Sequence, residues 1–248
     1  MGRIVNSQRW LSRQFDKLLP EKCRVDGNQD FLHSLVPKYL GQGLTLYDVG
    51  GGKNPFLSPQ RKAALEARVI GIDINPDELG RAPAGSYDQV FVADIAEFQG
   101  SGEADLVICQ AVLEHVRDVE GAFTGLASLL KPGGLALIFV PSRNALFARL
   151  NILLPEKAKK ALLSALYPDS RKNRGFPAFY NSCTPAGFKD LAARNHLHPI
   201  EERYYFISSY FSFFFPAYLL WRLWVFVFHI FYREQAAETF SFVLRKGN

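Results

Sequence analysis

Apolar and polar positions alternate in two rhythms along this chain. Between residues 44 and 142, short apolar runs recur near 44–49, 69–73, 89–93, 105–109 and 135–140, separated by stretches of helical periodicity. Strands alternating with helices predict an α/β fold with a doubly wound parallel sheet. The first 43 residues read as an amphipathic helical cover. In it Trp10, Leu11, Phe15, Leu18 and Leu19 share helical spacing, as do Phe31, Leu32, Leu35 and Val36. Beyond the alternating region, Ile200 to Ile207 and Thr239 to Arg245 read as two more strands, and a helix is expected from about Thr184-Pro185. Tyr210 to Tyr232 stands apart, because its clearly polar members are Ser212, Arg222 and His229 alone.

In such sheets ligands gather beyond the carboxyl ends of the strands. Asp48, Gly50, Asp73, Asp94 and Cys109-Gln110 all fall at predicted strand ends. Gly50-Gly51-Gly52 follows the first strand, and glycine lets a ligand approach the backbone closely. Val69-Ile70-Gly71-Ile72-Asp73 ends the second strand in a carboxylate, the position that accepts ribose hydroxyls in nucleotide-binding folds.

These motifs, in this order, resemble the class I S-adenosylmethionine (SAM)-dependent methyltransferases. Asp48 to Asn54 matches the family's D-x-G-x-G-x-G motif, with Asn54 in place of the last glycine. The resemblance implies a Rossmann-like sheet of about seven strands with the last antiparallel, carrying helical insertions near 143–182 and 208–236. It makes SAM the cofactor. Asp48 would orient the loop or meet an ammonium group, Gly50, Gly51, Gly52 and Asn54 would form the turn, Asp73 with Ile74 would meet the ribose, and Asp94 with Ile95 the adenine; Gln110 completes the set. Ala104 to Val116 resembles the fourth strand and its turn, and Leu130 to Gly134 the turn before the fifth.

Val112-Leu113-Glu114-His115-Val116 resembles a stretch of the ubiquinone-biosynthesis O-methyltransferases. Histidine titrates near neutral pH, so His115 is a candidate general base, against the alternative that Glu114 and His115 cap the next helix. Some relatives bind a divalent ion through this pair and a glutamate three residues earlier. Ala111 stands there, and no metal ligand set is predicted. Tyr180, in the aromatic stretch Gly175 to Tyr180, is a second candidate proton acceptor for an acceptor pocket.

Charge refines the picture. The net charge is +5, and between Arg143 and Arg174 eight basic residues face two acidic ones. Leu146, Leu150, Leu153 and Leu154 share a helical face beside Arg149, Lys157, Lys159 and Lys160, with Pro155 separating two short helices. A basic amphipathic pair suits an anionic membrane surface or substrate. Cys23, Cys109 and Cys183 fit no zinc spacing and cannot all pair, which favours a reducing compartment. No apolar signal core opens the chain, so a cytoplasmic enzyme, peripheral on the inner face of the membrane, is expected.

The reading is therefore a methyltransferase for a hydrophobic or membrane-associated acceptor, such as a quinone precursor or a lipid-linked substrate. A homodimer is compatible with it. Alternatives are a soluble O- or N-methyltransferase with an aromatic lid, a SAM-using enzyme of another group-transfer type, or a non-catalytic SAM-binding subunit. Nucleic acid is not expected as a partner, since the basic residues accompany an apolar stretch. Tyr210 to Tyr232 is expected to lie on or in one leaflet, broken by Pro216, with Arg222, His229 and Arg233 on a stripe facing headgroups or an acceptor phosphate.

Overall fold

The computed structural model describes residues 2–155, 176–207 and 211–247. Residues 156–175 of the basic insertion, including Lys157, Lys159 and Lys160, lie outside the described residues.

Seven strands form one sheet: β1 (Thr45–Val49), β2 (Arg68–Asp73), β3 (Gln89–Val92), β4 (Ala104–Gln110), β5 (Leu130–Pro141), β6 (Leu197–Tyr205) and β7 (Thr239–Lys246). Their order is β3-β2-β1-β4-β5-β7-β6, with β7 antiparallel to both neighbours. The expected seven-stranded Rossmann-like sheet with an antiparallel last strand is the fold of this protein. Helices are α1 (Gly2–Asp16), α2 (Gly27–Asp30), α3 (Pro59–Ala64), α4 (Pro76–Gly80), α5 (Val119–Leu129), α6 (Leu146–Leu153), α7 (Pro185–Arg194) and α8 (Phe215–Tyr232). Helix α7 begins where the sequence puts it, with the Thr184 side chain accepting the Gly187 N–H.

Period-2 alternation assigns each strand's side chains to two layers. Ala136, Ile138 and Val140 of β5 join Phe123, Leu126 and Phe188 of α5 and α7 on one face. Leu135, Leu137 and Phe139 point to the other face, where Phe31, Leu35 and Val36 pack. Residues 27–39 thus form part of the second layer of the sandwich, and Phe31 and Leu35 are wholly buried.

A third, smaller cluster lies apart from the sheet. Tyr218, Trp221 and Val225 of α8 pack with Phe15 of α1, Leu146 of α6, Phe206 and Phe211. Arg222 points into it. Its guanidinium pairs with Asp16 and donates to the carbonyls of Phe206 at 2.7 Å and Cys23 at 3.1 Å. His229 turns inward too, its ring 4.7 Å from that of Phe206. These two members of the expected headgroup-facing stripe therefore face the protein, because a buried guanidinium needs its donors satisfied. Pro216 does not break the helix either. It occupies the first turn of α8, where its missing N–H costs no hydrogen bond.

Candidate cofactor and acceptor site

The carboxyl ends of β1, β2 and β4 share one edge, since Val49 pairs with Ile72 and Cys109 in parallel register. Beyond that edge lies a crevice of about 500 Å³ whose lining includes Gly50, Asp73, Ile74, Asp94, Ile95 and His115. A second hollow of about 250 Å³, lined by Asp48, Gly50, Gly51, Asn54, Gln110 and Ala111, shares Val49, Gly50 and Ala111 with the first. Nine of the ten predicted cofactor residues thus line these two hollows; Gly52 lines neither, and a Cβ on it would lie 2.9 Å from Asp73 Oδ2.

The glycine turn is held from both sides. Gly50 N–H donates to the Ile72 carbonyl at 2.7 Å, and Asn54 N–H to that of Gly51 at 2.8 Å. Gly50 has φ +76°, and a Cβ there would come within 2.2 Å of Val112. A Cβ on Gly51 would lie 2.3 Å from Asp48 Oδ2. Side chains at these positions are excluded, so the backbone itself is the surface offered to a ligand. Asp48 is buried beneath the turn, its Oδ2 accepting the Phe56 N–H at 2.7 Å. Burial pushes its carboxyl up to about 6.

Asp73 Oδ1 accepts the Asn75 N–H at 2.8 Å, and Asp94 Oδ1 the Ala96 N–H at 2.9 Å. Both carboxylates line the larger crevice. Partial burial, with Glu78 nearby, raises the Asp73 carboxyl above its ordinary value. A carboxylate short of cationic partners is a strong acceptor for hydroxyl donors. Ile74, exposed, and Ile95, buried, supply apolar surface on the same wall. Two acceptors, apolar walls and a bare glycine backbone fit the nucleoside and amino-acid parts of SAM.

His115 sits on a single turn, Leu113–His115, straight after β4. Its Nδ1 lies 2.9 Å from the Pro177 carbonyl oxygen. A carbonyl only accepts, so the neutral ring carries its proton on Nδ1 and a lone pair on Nε2. Glu114 Oε1 is 3.8 Å from Nε2. Burial pushes the Glu114 carboxyl up to about 8. Neither residue caps α5; the Asp118 side chain does, accepting the Gly121 N–H at 2.9 Å.

The aromatic stretch lines the same crevice. Phe176, Pro177 and Phe179 line the crevice beside His115, and the N–H groups of Phe179 and Tyr180 both donate to the Glu114 carbonyl. Tyr180 itself is buried in the main core rather than in the crevice lining. The structure brings His115 to the site and leaves Tyr180 behind it. Arg117, over the Phe179 ring at 4.7 Å, also lines the crevice.

A family model described as a methyltransferase domain matches residues 15–194. The chain belongs to the class I SAM-dependent methyltransferase family. The ubiquinone biosynthesis O-methyltransferase of Burkholderia vietnamiensis is 33% identical over 137 residues, 48% of this chain and 58% of that protein. The chain thus spans little more than half the length of the curated relatives it matches. Among solved structures, phosphoethanolamine N-methyltransferase 2 of Haemonchus contortus, in complex with SAM, has a TM-score of 0.54 at 14% identity, covering 89% of this chain and 53% of that one. The [4+2]-cyclase SpnF has the same TM-score at 14% identity, covering 90% and 85%. These likenesses concern the fold, and a cyclase among them illustrates that the fold alone does not fix the reaction.

Two contributors escaped the sequence reading. Tyr87 reaches over the sheet so that its hydroxyl contacts Asp48 Oδ2 at 3.3 Å and the Gly52 carbonyl at 3.1 Å. Gly71 admits that ring, because a Cβ there would lie 2.9 Å from it. A glycine inside a strand signals such a close approach, so the signal was present. Asn28 Oδ1 accepts from Gln110 Nε2 at 2.7 Å, tying the N-terminal segment to the end of β4; no sequence pattern marks that pair.

Proposed function

We propose that this protein transfers the methyl group of SAM to an oxygen of a hydrophobic, membrane-associated acceptor, a quinone precursor or a lipid-linked substrate. The observation that carries this reading is one crevice lined both by Asp73 and Asp94 and by Phe176, Pro177 and Phe179 with His115. The matched relatives, named for ubiquinone biosynthesis, support the same acceptor class.

SAM supplies a methyl carbon made electrophilic by its sulfonium, so the protein's main task is alignment. Asp73 and Asp94 would hold the nucleoside by its hydroxyl and amino groups, and Gly50 to Gly52 would meet the amino-acid end through their backbone. Phe176, Pro177 and Phe179 would offer the acceptor an apolar surface. Nε2 of His115 takes the proton released by the acceptor hydroxyl as the new carbon–oxygen bond forms. Its Nδ1–H, anchored on Pro177, keeps the ring oriented for that transfer.

Incubation with labelled SAM and a membrane lipid extract, followed by mass identification of the product, tests the acceptor. In the purified system His115→Ala should cost about 10²–10⁴-fold in turnover while SAM affinity by calorimetry stays nearly unchanged. A loss of tenfold or less would make His115 a structural residue.

A further inference from the structure

Helix α8 is inverted relative to the usual surface helix. Its charged residue, Arg222, is buried, while Leu219, Leu220, Leu223, Trp224, Phe226, Val227, Ile230 and Phe231 are exposed. These positions recur at helical spacing and form a broad outward stripe without a charged member. Exposure reaches 70% at Leu220 and 73% at Phe231. A continuous apolar face of this size is uncommon on a monomeric soluble protein and marks a docking surface.

The two neighbouring helices extend it. On α1, which packs against α8 through the Phe15–Phe215 ring contact, Trp10 and Leu11 are exposed, as is Leu18 just beyond. On α6, whose Arg149 guanidinium lies over the Phe228 ring at 5.4 Å, Leu150, Ile152 and Leu153 are exposed.

Topology decides how this surface can meet a bilayer. Tyr205, the last residue of β6, pairs with Thr239, the first of β7, so both ends of the intervening segment return to one point at the sheet edge. Crossing a membrane once would tear that pair apart. With the turn that follows α8, the helical stretch Phe215–Ala236 is 22 residues, long and apolar enough by length and composition to cross a membrane, so the pairing of its flanks decides against a crossing. It is suited to lie in the interface plane. Exposed Trp10, Trp224 and Tyr232 are the ring types that settle at headgroup depth. On the segments that pack with or follow α8, Arg13, Lys17, Lys22, Arg24 and Arg233 are exposed against two exposed acidic residues, Glu21 and Asp26. That balance complements anionic headgroups.

We propose that α8, with the outer faces of α1 and α6, is a monolayer-inserting platform that docks this protein on an anionic lipid bilayer. Thr239 pairs with Pro141 at the end of β5, and Phe139 of β5 with Gln110 at the end of β4, so the platform rises from the same edge of the sheet as the cofactor crevice. A lipid acceptor lying in that leaflet would meet the crevice mouth without the protein leaving the surface. The platform deepens the acceptor reading above and is testable without it.

The test is flotation of the intact chain with vesicles of phosphatidylcholine, alone or with phosphatidylglycerol. The protein should float with both and more strongly with the anionic vesicles, and brominated lipids should quench its tryptophan emission. Leu220→Glu, Leu223→Glu and Phe231→Glu together should cut vesicle affinity by at least about tenfold, since each removes exposed apolar surface available for burial in lipid. The same variant should keep its melting temperature and SAM affinity, as none of the three side chains is packed inside. Arg13→Glu with Lys17→Glu should abolish the preference for anionic vesicles. Absence of flotation, or equal binding by the triple variant, overturns the proposal. So does a vesicle-free dimer that the triple variant converts to monomer, because the face would then belong to a second copy. Flotation without a labelled lipid product would leave the platform standing and remove the lipid acceptor; a labelled lipid product without flotation would do the reverse, and a soluble product without flotation would remove both.

Discussion

At the scale of single residues, the site depends on what each carboxylate is denied. Among the described residues, Asp73 has a backbone donor on one oxygen and no cation paired with it, and Lys53 is taken by Glu78 at 3.1 Å. Hydroxyl donors of a bound nucleoside would therefore supply most of its stabilisation. Asp73→Ala should weaken SAM binding by more than about tenfold, while the folded protein loses only the single bond from the Asn75 N–H. Unchanged affinity by calorimetry would remove Asp73 from the site. Asp48, buried beneath the glycine turn with Tyr87 and the Phe56 N–H on Oδ2, shapes the loop from below. The sequence marked both acids by their place at strand ends. It could not show that Tyr87 completes the Asp48 site, because that contact crosses from the β3 side of the sheet through the gap at Gly71.

At the scale of elements, α8 is organised by one ion pair. Arg222 and Asp16 are 6% and 14% exposed at their side chains, and Tyr218 OH adds a 2.6 Å bond to Asp16. Removing one partner leaves a buried charge unmatched. Asp16→Ala should destabilise the protein by about 3–5 kcal/mol in urea unfolding, whereas Asp16→Leu with Arg222→Leu should recover much of that loss. A cost below about 1 kcal/mol would mean that water reaches Arg222 and that α1 and α8 are held by apolar packing alone. Hydropathy located this helix well but not its orientation. An arginine in an apolar segment reads equally well as facing outward to headgroups or inward to a partner, and the partner here lies 206 residues away.

At the scale of the molecule, burial raises the proton affinity of Asp73 and, more strongly, of three further carboxyls: Asp48 at about 6, Glu238 at about 7 and Glu114 at about 8. Each binds its proton more tightly folded than unfolded, so its contribution to stability is full below the unfolded value and is lost as pH rises through the folded one. The melting temperature should accordingly fall as pH climbs from about 5 to about 9, and Glu114→Gln should remove the last portion, near pH 8. At the acid end the sign reverses. Glu201, held down to about 2 by Lys38, Tyr39 and Arg203, loses its contribution as pH drops below the ordinary carboxylate range. A melting temperature flat across the alkaline arm would show that water reaches these carboxyls.

The chain by itself determined the sheet, its strand ends and the family, because period-2 apolar runs, glycine turns and end-of-strand acids are local signals that survive without neighbours. The seven strands begin and end within a few residues of their expected places, β5 excepted, which starts earlier at Leu130. Local patterning also put His115 straight after a strand end. Tertiary structure alone decided that Phe176, Pro177 and Phe179 line the crevice while Tyr180 turns into the core. A backbone reversal at Tyr180, with φ +56°, sets that division, and no periodicity encodes it. The facing of α8 was likewise settled only by packing. Which side of an apolar helix is buried depends on where a distant chain segment offers a counter-charge, and that is a property of the folded molecule.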